Sequence, residues 1–277
     1  MFKKNYLNFI YLILLGAISA FSLPPYHFFI INFITFTLFF TFIFNEKKNF
    51  STHKSFFKYG WCFGFGYFLS GLYWVSISLT FDTTFKFFIP FAIILMPAFL
   101  ALFYGLISYL FSVFYSKKPV ISFLIFSILF GLIELIRGFI LTGFPWNLIV
   151  FSFSESFNFI QILSVIGTYS FNLICISFFT CPALLIFRRS KSEILAFSFF
   201  IIIGIGFLFF GMIKNNQFEL VKKIKHNYSI RVVSSNISLD RFYSNKDELE
   251  IINELITLSN PEKSKPTIFL WPEGIIP

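Results

Sequence analysis

The stretch PVISFLIFSILFGLIELIRGFILTGFPWN, residues 119–147, decides the fold. Its first fifteen residues carry no charge, and apolar side chains occupy every face of the helical wheel. A helix that is apolar all round belongs in a protein core or a membrane, and a bilayer core asks for about 20 such residues. Residues 119–141 therefore read as a membrane span. Two charges interrupt it, Glu134 and Arg137, spaced i and i+3 so that they share a face. Ionisable side chains at that depth are costly, and they face a protein interior or a wet cavity, often in pairs. Such a pair serves either helix packing or a contact with a lipid headgroup or active site, and the spacing alone leaves both open. In LTGFPWN, residues 141–147, Gly143 and Pro145 mark a turn, while Phe144 and Trp146 suit a membrane–water interface.

The same apolar pattern recurs on both sides of this stretch. Spans are expected at about 6–23, 28–44, 57–80, 87–115, 119–141, 157–187 and 193–213, a polytopic bundle of about seven helices over residues 1–213. Composition agrees: only 13% of the 277 residues are charged, against about a quarter in soluble domains, and mean hydropathy is +0.79. Lys3 and Lys4 before the first apolar run resemble the start of a signal peptide. However, Leu23-Pro24-Pro25 offers no small-x-small cleavage motif, so an uncleaved first helix is expected.

The net charge of +9 is distributed as topology signals are. Residues 1–213 hold 13 Lys+Arg against 5 Asp+Glu, whereas residues 214–277 hold 9 against 8. The basic residues fall before the first span (Lys3, Lys4) and between the second and third (Lys47, Lys48, Lys54, Lys58). They recur between the fourth and fifth (Lys117, Lys118) and between the sixth and seventh (Arg188, Arg189, Lys191). The intervening connections hold only Lys86. This alternation places the N-terminus in the cytoplasm and residue 214 onward outside. It also argues against a nucleic-acid partner, since no basic face appears on the soluble part.

Residues 214–227 read as a membrane-proximal linker, and residues 228–277 as the incomplete start of an α/β domain. Residues 229–237 (SIRVVSSNI) form a strand candidate. Residues 246–258 place Leu249, Ile252, Leu255 and Ile256 at helical spacing behind an acidic first turn. The run TIFLW, residues 267–271, fits a buried strand. Just past it lies Glu273, where α/β folds place catalytic groups. Two strands in roughly 60 residues make a marginal core. Cys62, Cys175 and Cys181 all lie in apolar stretches and read as small core residues. With three histidines lacking ligand spacing, no metal site is expected.

Several segments together resemble the bacterial apolipoprotein N-acyltransferases: residues 14–25 (LLGAISAFSLPP), 60–75 (GWCFGFGYFLSGLYWV), 130–147 (FGLIELIRGFILTGFPWN) and 160–172 (IQILSVIGTYSFN). Residues 231–237 followed by 267–277 (TIFLWPEGIIP) are similar to the opening of that family's nitrilase-like domain, whose Trp-Pro-Glu motif carries a catalytic Glu. The resemblance implies an eight-span inner-membrane enzyme with a periplasmic αββα domain between spans seven and eight. It implies transfer of an acyl chain from a phospholipid donor to the N-terminal amine of a diacylated apolipoprotein, without a cofactor. A Glu–Lys–Cys triad would act, of which Glu273 is the general base. Glu134, Arg137 and Trp146 become candidate substrate contacts. Tyr243 follows, as the counterpart of a family Trp, although Phe242-Tyr243 stands where the family commonly has Lys-Trp.

The sequence stops four residues after Glu273, and no Lys or Cys of the triad lies in it. The expectation is a C-terminally truncated chain, inactive alone, with a separate polypeptide as one source of the missing groups. The alternative is a non-catalytic membrane lipid-binding or scaffold protein.

Overall fold

The computed structural model describes residues 2–48, 52–141, 143–188, 190–221, 227–234, 248–262 and 266–274. Two compact units emerge, Met1–Asn215 and Asn216–Pro277.

The first unit is a helical bundle: α1 (Phe2–Ala20), α2 (Ile30–Lys48), α3 (His53–Leu72), α4 (Ile89–Phe114) and α5 (Pro119–Phe139). After the short helices α6 (Phe157–Ile160) and α7 (Leu163–Ile166) come α8 (Thr168–Thr180), α9 (Pro182–Ile186) and α10 (Lys191–Val221). Short 3-10 segments, Tyr73–Thr80, Thr83–Phe88 and Ile149–Phe153, fill the connections. Among the described residues six helical stretches are long and apolar enough to cross a membrane, and Tyr6–Ala20 is a shorter apolar helix. The bundle is a membrane-embedded one.

Lipid provides no hydrophobic drive for helix association, so close packing must hold the bundle. Phenylalanine supplies most of it. Phe39 stacks on Phe63 at 4.2 Å between α2 and α3, and Phe40 meets Phe126 of α5 at 5.4 Å. Tyr104 of α4 sits edge-on to Phe130 of α5 at 4.8 Å. Where α1 crosses α3 the backbones touch: a Cβ on Gly16 would lie 1.9 Å from Phe63 O, and one on Gly66 1.9 Å from Ile13 O. α10 is peripheral, with Leu195, Phe199, Ile202 and Phe209 exposed along it.

Two sequence expectations for the helices change. Residues 157–187 do not form one span: the chain breaks at Gly167 (φ 75°), leaving α6 and α7 as separate turns and Thr168–Ile186 as the crossing stretch. The expected linker at 214–227 is helical as far as Val221, because α10 continues well past its apolar run.

The second unit contains β1 (Ser229–Val232), α11 (Glu248–Ser259) and β2 (Thr267–Leu270). The strands pair in parallel with Ser229 opposite Thr267 and Val232 opposite Leu270. Arg231 Nη1 donates to the carbonyls of Ser259 (2.8 Å) and Asn260 (2.7 Å), satisfying the C-terminus of α11. Trp271 Nε1 donates to Ser259 Oγ at 2.9 Å. β2 is not buried as TIFLW suggested. Its residues alternate, so that Ile230, Val232, Ile268 and Leu270 line one exposed apolar face of the sheet. In α11 the buried positions are Ile251 and Leu255, while Leu249 and Ile256 are exposed. The apolar face is therefore rotated from the one that spacing indicated.

Candidate functional site

The two ends of the bundle differ in chemistry. At one end Lys48 lies over the rings of Phe44 and Phe187 (4.5 and 4.8 Å), joining the ends of α2 and α9. His53 Nδ1 meets Ser112 Oγ at 2.6 Å, joining the start of α3 to the end of α4. The basic loops of alternating parity thus gather at one end. The opposite end gathers the loops around residues 24–29, 70–80 and 140–156, with few charges and many aromatics.

Arg137, in the last turn of α5, organises this second end. Its Nη2 pairs with Glu134 Oε2 at 2.5 Å, and both side chains are essentially fully buried. Its Nη1 donates to the carbonyls of Phe144 (2.7 Å) and Trp146 (3.0 Å). The Phe68 and Phe144 rings lie 5.3 and 5.9 Å from the guanidinium. The planar fork therefore ties the loop after α5 back onto the helix that precedes it, a geometry suited to arginine. Gly143 (φ 80°) lets the loop reverse, and Asn147 also has positive φ (56°).

α3 secures the loop from the other side. Tyr67 OH donates to Asn147 O at 2.9 Å, and Asn147 Nδ2 donates to Gly71 O at 3.2 Å. Trp146, held in this way, stacks on Trp74 with ring centroids 5.4 Å apart and planes at 19°. Beside the stack opens a cleft of about 580 Å³, walled by Pro24, Tyr26, Tyr73, Trp74, Trp146 and Asn147 among others. Its volume falls in the range of small-molecule sites. The neighbouring Tyr73 phenol, through hydrogen bonding and then charge repulsion, raises the Tyr26 pKa above its ordinary value. Among the described residues no Lys, Arg, Asp or Glu lines the cleft. Aromatic faces with neutral phenol, amide and hydroxyl groups suit an apolar ligand better than a charged one.

Beneath the cleft a buried polar knot fixes the ends of α1 and α2. Asn32 Nδ2 donates to Ser22 Oγ (2.8 Å) and Ser152 Oγ (3.0 Å), and Ser19 Oγ donates to Asn32 Oδ1 (2.7 Å). These residues come from three segments, so no local motif announces them.

The sequence-nominated residues thus have different positions. Trp146 is on the cleft wall, whereas Glu134 and Arg137 are buried beneath the loop and line nothing open. In the second unit Glu273 is exposed, in a turn just after β2 that Gly274 completes with φ 66°. Tyr243 lies outside the described residues. Trp74, Tyr67 and Asn147 were not nominated, although Trp74 and Tyr67 stand within residues 60–75 and Asn147 closes the LTGFPWN string.

Comparison with known proteins bears directly on these segments. Residues 15–181, which build the cleft, match the model of the apolipoprotein N-acyltransferase N-terminal domain. The chain belongs to that family. An apolipoprotein N-acyltransferase of Rickettsia typhi is 33% identical over 281 aligned positions, covering all of this chain and 53% of the relative. That of Rhizobium rhizogenes is 32% identical, covering 96% of this chain and 51% of the relative. That of Allorhizobium ampelinum is 30% identical, covering 95% and 50%. The chain spans about half the length of these curated relatives. Membership of this bacterial family and the apolar helices make it a bacterial membrane protein.

Proposed function

We propose that this chain takes part in N-acylation of lipoproteins: an acyl chain moves from a phospholipid to the N-terminal amine of an S-diacylglyceryl-cysteine lipoprotein. The observation that carries this reading is the match of residues 15–181 to the family's N-terminal domain, in the segments that build the aromatic cleft. In this reading the cleft beside Trp74 and Trp146 receives an acyl chain and its ester. Arg137 and Glu134 are positioning residues that hold the Trp146 loop. Glu273 is the general base. It takes the proton of a cysteine thiol, the thiolate attacks the phospholipid ester, and the lysophospholipid leaves. The lipoprotein amine then attacks the acyl-thioester, the C–S bond breaks and the cysteine thiolate leaves and takes up the proton released by the amine, with a lysine ammonium stabilising the oxyanion. The thiol and that lysine would come from outside residues 1–277. The gathering of basic loops at one end of the bundle supports a cytoplasmic N-terminus in the inner membrane, with the second unit on the periplasmic side.

A chimera tests this directly. Residues 1–274 replace the corresponding half of a curated relative in a strain depleted of its own acyltransferase. Rescue of growth with N-acylated lipoprotein is expected, together with its loss on Glu273→Gln. Failure of the chimera to acylate although it accumulates in the membrane would count against the reading. Lipid retention without turnover would favour a binding or scaffold role instead.

A further inference from the structure

The basic end of the bundle carries a second cleft, of about 540 Å³, between the start of α5 and the start of α10. Its walls are Lys117, Lys118, Pro119, Val120 and Ile121 on one side and Ser190, Ser192 and Glu193 on the other. Topology accounts for lysines in this loop but not for their place on the wall of a cleft. Neither lysine has an ion-pair partner among the described residues. The one acid, Glu193, is buried and is engaged by Ser190, whose N–H and Oγ both donate to Oε2 at 2.8 Å. The charge of the cleft is therefore positive, while the two serine hydroxyls opposite the lysines are engaged with each other at 2.7 Å and with Glu193.

What lies below the cleft distinguishes a lipid from a soluble anion. Both helices begin at the cleft and run away from it into the membrane, and each presents exposed apolar residues at helical spacing. These are Ile121, Leu124, Ile128 and Leu132 on α5, and Leu195, Phe199 and Ile202 on α10. A soluble phosphate has no use for these surfaces, whereas the acyl chains of a phospholipid do. Basic pockets between spanning helices at the cytoplasmic side are suited to anionic headgroups.

We propose that this cleft binds the phosphate of an anionic phospholipid, with Lys117 and Lys118 as its charge partners. The site is distinct from the neutral aromatic cleft at the opposite end and does not depend on what that cleft holds.

The test uses the intact chain in detergent and native mass spectrometry with phosphatidylglycerol, phosphatidylcholine or inorganic phosphate. Phosphatidylglycerol is expected to bind in preference to phosphatidylcholine, with no competition from millimolar inorganic phosphate. Lys117→Gln with Lys118→Gln should weaken phosphatidylglycerol binding on the order of 30-fold, from the contribution of two lysines at a membrane surface. Lys117→Arg with Lys118→Arg should retain it, and so should Lys86→Gln, which removes a lysine from another loop. Melting temperatures of the lipid-free variants check that the fold is intact. Equal binding of both lipids, undiminished binding by the double Gln variant, or displacement by inorganic phosphate would each overturn the proposal.

Discussion

Arg137 makes one ion pair and two carbonyl hydrogen bonds from the end of a spanning helix. Removing it has two effects: the loop after α5 loses its anchor, and Glu134 is left as an unpaired buried charge. Arg137→Met is expected to destabilise the bundle by roughly 3–5 kcal/mol, as breakage of buried pairs does. Glu134→Leu with Arg137→Met removes the stranded charge as well and should lose less. Arg137→Lys should fall between wild type and Arg137→Met, because an ammonium cannot reproduce the planar fork. Thermal unfolding in detergent would rank the variants, and Trp146 emission would report release of the loop. A single variant no worse than the double one would show that the pair does not act as described. The pair and the turn were legible in the sequence, since depth, spacing and Gly–Pro punctuation are local signals. Its other acceptors were not, because backbone carbonyls leave no mark in a side-chain pattern. Tyr67 and Asn147 were missed for a related reason: they meet across 80 positions, and nothing near either one announces the other.

Elements follow the same division between local and distant information. Apolar length alone indicated a polytopic helical bundle, because the bilayer requires intrasegment hydrogen bonding over a fixed thickness. It could not place the break within residues 157–187, since one glycine at positive φ does not interrupt hydropathy. Nor could it show that α1 and α3 cross in backbone contact. That crossing is tested by Gly66→Leu, whose Cβ would fall on Ile13 O. Backbone cannot yield as a flexible side chain does, so the loss should reach or exceed the ~1–3 kcal/mol typical of overpacking. Gly206→Ala on α10 is the control: nothing lies within 4 Å of its Cβ position, and helix propensity favours alanine by up to about 1 kcal/mol. The crossing is wrongly described if the two substitutions have equal effects on folded yield and melting temperature. In the second unit, alternation in β1 and β2 leaves Ile230, Val232, Ile268 and Leu270 exposed on one face. Parallel strands are ordinarily covered on both faces, which is why TIFLW reads as a buried strand in sequence.

Over the whole molecule, the chemistry is segregated by position. Apart from Lys86, the lysines of the connections gather at one end of the bundle and neutral aromatics at the other, and the thiols lie within it. Cys62, Cys175 and Cys181 are 7%, 1% and 0% exposed. Cys62 belongs to α3 and Cys175 to α8, and Cys181 follows α8 directly, its Sγ 3.1 Å from Phe178 O. A thiol nucleophile must reach a lipid ester as a thiolate, and none of these has either the access or the setting. The 277-residue chain is therefore expected to form no acyl-thioester when incubated with phosphatidylethanolamine. Intact-mass measurement would show no acyl adduct sensitive to neutral hydroxylamine. Maleimide should label none of the three cysteines appreciably in the folded protein and all three after denaturation. An adduct mapped to Cys62, Cys175 or Cys181 would overturn the assignment of the nucleophile to chain outside these residues. Blocked labelling and no adduct would fit the reading proposed above, in which the bundle positions an acyl chain for a thiol other than these three.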